Sequence, residues 1–265
     1  DGPDPACGTG AGLEASRRGR MATMRVRRLA RQTGKHAAHH GFDCIWLDLE
    51  HREMDSREVQ AILTHFHLAD IDCLLRPPTL EKTRLYRYLE DGATGLMIPH
   101  VSTAEMAYEL AQAVKFPPIG NRGLDGAGLD GDFYLERSSE YTDHANRETF
   151  LVVQIETPEA VANVDAIAAV EGVDGLFIGP GDLSLRIRHL PPGELTLEQA
   201  TEKVAAAAKK HGKQWGRPAA TLEQMQQLHA QGARLISHGG EFLALMEMLL
   251  QSARNFDALD GTKRP

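Results

Sequence analysis

Short apolar runs alternate with capped, helix-periodic segments along most of this chain, and that alternation is its strongest constraint on fold. The runs lie at 43–49, 71–76, 94–98, 150–156, 174–178, 213–217 and 233–237, and a weaker one at 24–30 brings the strand–helix units to eight. Strands that are apolar throughout are buried on both faces, which a parallel sheet covered by helices provides. Eight units within 265 residues match a (β/α)8 TIM barrel, with a doubly wound open sheet as the alternative. No G-x-G-x-x-G motif follows a strand, so a dinucleotide has no support and no organic cofactor is expected.

The punctuation between runs has physical causes. Asp55 with Glu58, Ser102 with Glu105, Thr196 with Gln199 and Thr221 with Gln224 have the spacing of capping boxes. Thr157 caps a helix whose first position is Pro158, where a missing N–H costs nothing. Pro77-Pro78 stops the run 71–76, and Gly92 ends a helix over 80–90. Residues 1–20 read as a loose lead-in, 21–255 as one domain and 256–265 as a tail. The first unit is weak, because 24–30 carries Arg25, Arg27 and Arg28. A helix over 31–40 places His36, His39 and His40 on one side; with no acidic or sulfur ligand nearby, a solvated face is the preferred reading over a metal site. The stretch 117–147 reads as a long irregular loop with glycines at 120, 123, 126, 128 and 131, and loops of that length are usually functional. The final helix is expected from Glu241 to Ala253.

A net charge of -8 disfavours a nucleic-acid surface. No apolar run approaches the roughly 18 residues needed to span a membrane. No leader pattern opens the chain, and its three cysteines form no close pair, so a cytoplasmic protein with reduced thiols is expected.

In a barrel the C-terminal strand ends converge on one mouth. There the sequence puts Asp48, Glu50 and His51, then Arg76, then Gln154 and Glu156, then Asp182, then Ser237 and His238. Taken singly each could be a cap or a surface residue, but the set is too polar for that. Glu156 and Asp182 on neighbouring strand ends suit a hard divalent cation, Mg²⁺ or Mn²⁺; a carboxylate pair for glycoside cleavage is the other reading. Arg76 can face a carboxylate or enolate oxygen. His51 is a candidate general base, with Asp48 or Glu90 as the carboxylate beside it. Cation, arginine and histidine together form a kit for making an enolate.

Three groups of residues carry a resemblance to a known family. They are Gly41-Phe42-Asp43 with Asp48-Leu49-Glu50-His51 and Leu75-Arg76-Pro77; Leu89-Glu90-Asp91-Gly92-Ala93 with Asn121-Arg122-Gly123; and Val153-Gln154-Ile155-Glu156 with Gly179-Pro180-Gly181-Asp182-Leu183-Ser184. Over roughly 41–250 the chain resembles the HpcH/HpaI aldolases, class II pyruvate aldolases that include 4-hydroxy-2-oxoheptanedioate and 2-dehydro-3-deoxyglucarate aldolases. The resemblance implies a barrel that cleaves a 4-hydroxy-2-oxo acid to pyruvate and an aldehyde, as in aromatic compound catabolism. By it His51 accepts the proton, Arg76 stabilises the transition state, and Glu156 and Asp182 hold Mg²⁺ or Mn²⁺, with Co²⁺ also admissible. Gln154, Gly181 and Asp182, with Arg76, contact the substrate, and Asp48 and Glu50 stand behind them. Glu90 occupies the place of an Asp that increases the basicity of the catalytic His. The resemblance also implies a homohexamer, a trimer of dimers, with the last helix on a neighbour. Small molecules, not nucleic acid or membrane, are the expected partners. A related lyase acting on an acyl-CoA, an oxaloacetate decarboxylase and a non-catalytic barrel remain the alternatives.

Overall fold

The computed structural model describes residues 20–24, 30–135 and 141–260. Eight parallel strands close a barrel in sequence order: β1 (Arg20–Met24), β2 (Cys44–Asp48), β3 (Asp72–Arg76), β4 (Gly95–Ile98), β5 (Phe150–Ile155), β6 (Gly175–Ile178), β7 (Gln214–Ala219) and β8 (Leu235–His238). Between them run α1 (Ala30–His39), α2 (Ser56–Leu68), α3 (Lys82–Glu90), α4 (Ala104–Val114), α5 (Tyr141–Glu148), α6 (Pro158–Ala162), α7 (Val164–Ala168), α8 (Pro180–Ile187), α9 (Leu197–His211) and α10 (Leu222–Ala230), and α11 (Glu241–Asp260) follows the last strand. Pairing of β1 with β8 closes the ring, so the open-sheet alternative is set aside. Among the described residues no helix is long and apolar enough to cross a membrane.

The strands alternate between two cores, as their pleat requires. Trp46, Leu74, Met97, Val152 and Phe177 fill the barrel, with Trp46 and Phe177 edge to face at 5.5 Å. Ile45, Leu47, Cys73, Leu75, Leu96 and Val153 pack outward against the helices. Gly216 lets β7 lie against β8: a Cβ there would sit 1.7 Å from the Leu235 carbonyl oxygen. The helix starts follow their caps. Asp55 with Glu58 and Thr196 with Gln199 form complete capping boxes, and Thr157 caps α6 ahead of Pro158.

Several expectations are corrected. The first strand is Arg20–Met24, not 24–30, so it begins inside the segment read as a lead-in. Residues 25–29 and the rest of that lead-in, 1–19, lie outside the described residues. The run Met21-Ala22-Thr23-Met24 is short, and what makes it a strand is backbone pairing on both sides. Thr103, not Ser102, caps α4; the Ser102 hydroxyl instead lies 2.9 Å from that of Thr157, tying two loops at the mouth together. Helix α5 interrupts the stretch read as irregular, and it buries only Tyr141 and Ala145, too little for a visible period. Residues 136–140 of that stretch are outside the described set. Helix α11 continues to Asp260, through the first half of the expected tail, of which 261–265 are not described.

Candidate active site

Strand register builds the site. Asp48 pairs directly with Arg76 across β2 and β3, and both side chains point into the mouth above Trp46 and Leu74. The guanidinium meets the carboxylate fork to fork: Nε donates to Oδ1 at 2.8 Å and Nη2 to Oδ2 at 2.7 Å. Both residues are buried. Burial alone would raise the Asp48 carboxyl, but the hydrogen bonds and charge of Arg76 outweigh it and hold the group below its ordinary value. The guanidinium carbon lies 4.9 Å from the Trp46 ring centroid, so the arginine rests on an aromatic floor. Nη1 remains for the mouth, where it donates to Gln154 Oε1 at 3.3 Å and lies 2.9 Å from Glu50 Oε2.

Glu50 joins this pair to two histidines. His51 Nε2 is 3.6 Å from Glu50 Oε2, and the imidazole is 58% exposed, open to a reactant. His100 Nε2 is 3.3 Å from Glu50 Oε1. His100 also turns back to Glu156, whose Oε1 accepts from the His100 backbone N–H at 2.7 Å and lies 2.9 Å from Nδ1.

Glu156 is buried just past β5, and Gly179 makes room for it: a Cβ there would fall 2.4 Å from Oε2. Burial pushes its carboxyl up; contacts from His100 pull it down, and the charges of Asp182 and Glu50 push it up again. Asp182, in the first turn of α8, is half exposed and lies 2.8 Å from Arg186 Nη1. Gly181 opens onto free space, with nothing within 4 Å of a Cβ built there. A buried carboxylate facing two others is the donor chemistry that a hard cation relieves. Among the described residues no three His, Cys, Asp or Glu side chains converge as a ready-made cage, so Glu156 and Asp182 suit a cation whose other positions go to water or substrate.

The family model for HpcH/HpaI aldolase/citrate lyase matches residues 30–246. The chain belongs to the HpcH/HpaI aldolase/citrate lyase family. It is similar to the hydroxypyruvate/pyruvate aldolase of Pseudomonas aeruginosa, 38% identical over 181 residues, which are 66% of this chain and 67% of that protein. It is also similar to the 5-keto-4-deoxy-D-glucarate aldolase of Klebsiella pneumoniae, 33% identical over 206 residues, 77% of each. The crystal structure of an HpcH/HpaI aldolase from Desulfitobacterium hafniense superposes with a TM-score of 0.84 at 28% identity, covering 95% of this chain and 97% of that one.

Within this HpcH/HpaI barrel the strand ends bring together Asp48, Glu50, His51, Arg76, Gln154, Glu156 and Asp182. Glu90 does not join them. It ends α3, and barrel helices run antiparallel to their strands, so it lies at the opposite end from the mouth. The charges it faces are Arg122, Asp130, Arg87 and Asp125 rather than His51, and burial raises its carboxyl. The neighbouring Asp91 accepts from Gln60 at 2.9 Å. The pairing of Glu90 with His51 expected from the sequence is therefore absent within one chain. His100 was missed in the opposite sense. It stands two residues past β4, after Pro99, where a strand-end count stops, and only its left-handed backbone (φ 58°) turns it into the site.

Proposed function

We propose that this chain is a divalent-cation-dependent aldolase that cleaves a 4-hydroxy-2-oxo acid into pyruvate and an aldehyde. The observation that carries this reading is the Arg76 guanidinium, locked by Asp48 and Trp46, presenting Nη1 at the mouth beside Gln154 on the side where Glu156 stands. Fixed positive charge at that point would meet the enolate oxygen of the proposed reaction at no cost of reorganisation. The names of two similar proteins, a hydroxypyruvate/pyruvate aldolase and a pyruvate aldolase, support pyruvate chemistry.

A cation such as Mg²⁺ or Mn²⁺, with Co²⁺ also suited, would be held by Glu156 and Asp182 and supply positive charge opposite the carboxylate and keto oxygens of the 2-oxo acid. The chain's own groups do the rest. Gln154 and the first-turn amides at Gly181 and Asp182, which lack intrahelical acceptors, orient the substrate carboxylate. His51, directly or through one water, accepts the C4 hydroxyl proton. The C4–O electrons form the aldehyde, the C3–C4 bond breaks, and its electron pair becomes the enolate opposite Arg76. The proton taken up by His51 is then returned, directly or through the same water, to C3, which gives pyruvate and frees the base. Glu50 keeps His51 and Arg76 in mutual register.

Assembly belongs to the same reading. Helix α11 exposes Phe242, Leu243, Met246, Leu249, Leu250, Phe256 and Leu259, an apolar surface of the kind a second copy covers. A homohexamer built as a trimer of dimers would bury it, and only across such an interface could Glu90 serve a His51. The test is pyruvate release from a panel of 4-hydroxy-2-oxo acids with Mg²⁺ or Mn²⁺. Release that stops on chelation and in Glu156→Gln is expected. Activity surviving either treatment contradicts the cation role, and no pyruvate from any member of the panel contradicts the aldolase.

A further inference from the structure

We propose that His100 is a positioning residue that pins Glu156 for the cation; the inference rests on the cation site proposed above. Two nitrogens of one residue converge on one oxygen: the His100 backbone N–H donates to Glu156 Oε1 at 2.7 Å, and ring Nδ1 lies 2.9 Å from the same atom. That leaves Oε2, the oxygen lying against Gly179, as the one Glu156 presents. The far side of the same ring lies 3.3 Å from Glu50 Oε1, so the imidazole spans carboxylates from the ends of β2 and β5. His100 adopts φ 58°, a left-handed conformation that non-glycine residues seldom take. Its side chain is 49% exposed, so core packing does not explain this geometry, whereas the contacts with Glu156 and Glu50 do.

The ring would thus fix which Glu156 oxygen faces the cation and stop the carboxylate from swinging away from Asp182 and Glu50, whose charges oppose it. Partners of this kind typically change metal affinity by about 10–100-fold when removed. Two variants separate the ring from the backbone. His100→Gly keeps the N–H, suits the left-handed φ and so preserves folding, but deletes the ring. His100→Asn also tolerates this φ, and its side-chain amide can replace Nδ1 on Glu156 while giving up Glu50.

The experiment titrates Mn²⁺ into the cation-free full-length protein without substrate, reading free Mn²⁺ by electron paramagnetic resonance, with wild type and Glu156→Gln as references. Wild type should bind, Glu156→Gln should not, and His100→Gly should bind about 10–100-fold more weakly, with His100→Asn within about threefold of wild type. At saturating Mn²⁺ the kcat of His100→Gly should recover while its Mn²⁺ requirement stays raised. Wild-type affinity in His100→Gly, or equal weakness in His100→Asn, overturns the positioning role while leaving the cation site standing. Failure of wild type to bind Mn²⁺ overturns the cation site itself and the inference with it.

Discussion

Arg76 and Asp48 show how the site is held at the scale of single residues. The guanidinium is buried, donates twice to one carboxylate and rests on Trp46. Removing one partner of a buried pair strands the other, at a cost of about 3–5 kcal/mol. Asp48→Asn is therefore expected to lower urea-unfolding stability near neutral pH by about that amount. The pH dependence has a definite sign. Asp48 titrates lower in the folded chain than its ordinary value, so its stabilisation is fully present above the unfolded value of about 4 and is lost as pH falls through the folded one. Stability of wild type measured from pH 6 to 2.5 should show a loss in that acid range that Asp48→Asn lacks; parallel curves would contradict the pairing. Asp48, Arg76, Gln154 and Glu156 were legible in the sequence because strand ends point at one mouth whatever the register. Which neighbours touch was not, since Arg76 against Asp48 follows from a parallel register that only the paired strands display. His100 was illegible because it depends on a positive φ beyond Pro99.

Elements obey local rules where those rules are strong. Asp55 and Glu58, Thr157 and Pro158, and Thr196 and Gln199 mark helix starts in the sequence, and the structure places helices there. The strand β1 was placed too late in the sequence and the helix α5 escaped notice, for different reasons: β1 draws its order from pairing with β2 and β8, and α5 buries only two residues. Glu90 lies away from the mouth of its own chain because α3 carries its last residue to the other end of the barrel, a direction that a motif does not reveal. Close strand approach gives a prediction at this scale. A methyl at Gly216 would meet the Leu235 carbonyl, backbone that cannot turn aside. Overpacking of this kind costs on the order of 3 kcal/mol, so Gly216→Ala should lower the melting temperature by roughly 10 °C by calorimetry. An unchanged melting temperature would contradict so close an approach of β7 to β8.

For the whole molecule, the barrel was legible from the alternation of runs and caps, while a neighbour over the last helix was implied only by the family resemblance. Helix α11 follows the last strand with large apolar side chains open to solvent along its length, among them Leu249 and Leu250. Changing both to Glu should leave the barrel folded and reduce the solution mass, by light scattering, toward a single chain. If Glu90 serves a His51 of another copy, pyruvate formation should fall with the mass. A wild-type mass of one chain would contradict the assembly.

In the proposed reaction this mouth makes and holds the enolate of pyruvate, a step that can be followed without knowing the aldehyde. Pyruvate incubated in D₂O with the enzyme and Mg²⁺ or Mn²⁺ should exchange its methyl protons for deuterium, followed by proton nuclear magnetic resonance. Exchange should stop on chelation and slow by about 100-fold or more in Arg76→Lys, whose ammonium cannot reproduce the fork held by Asp48. Exchange no faster than in buffer with the cation present, or undiminished in Arg76→Lys, would contradict the account.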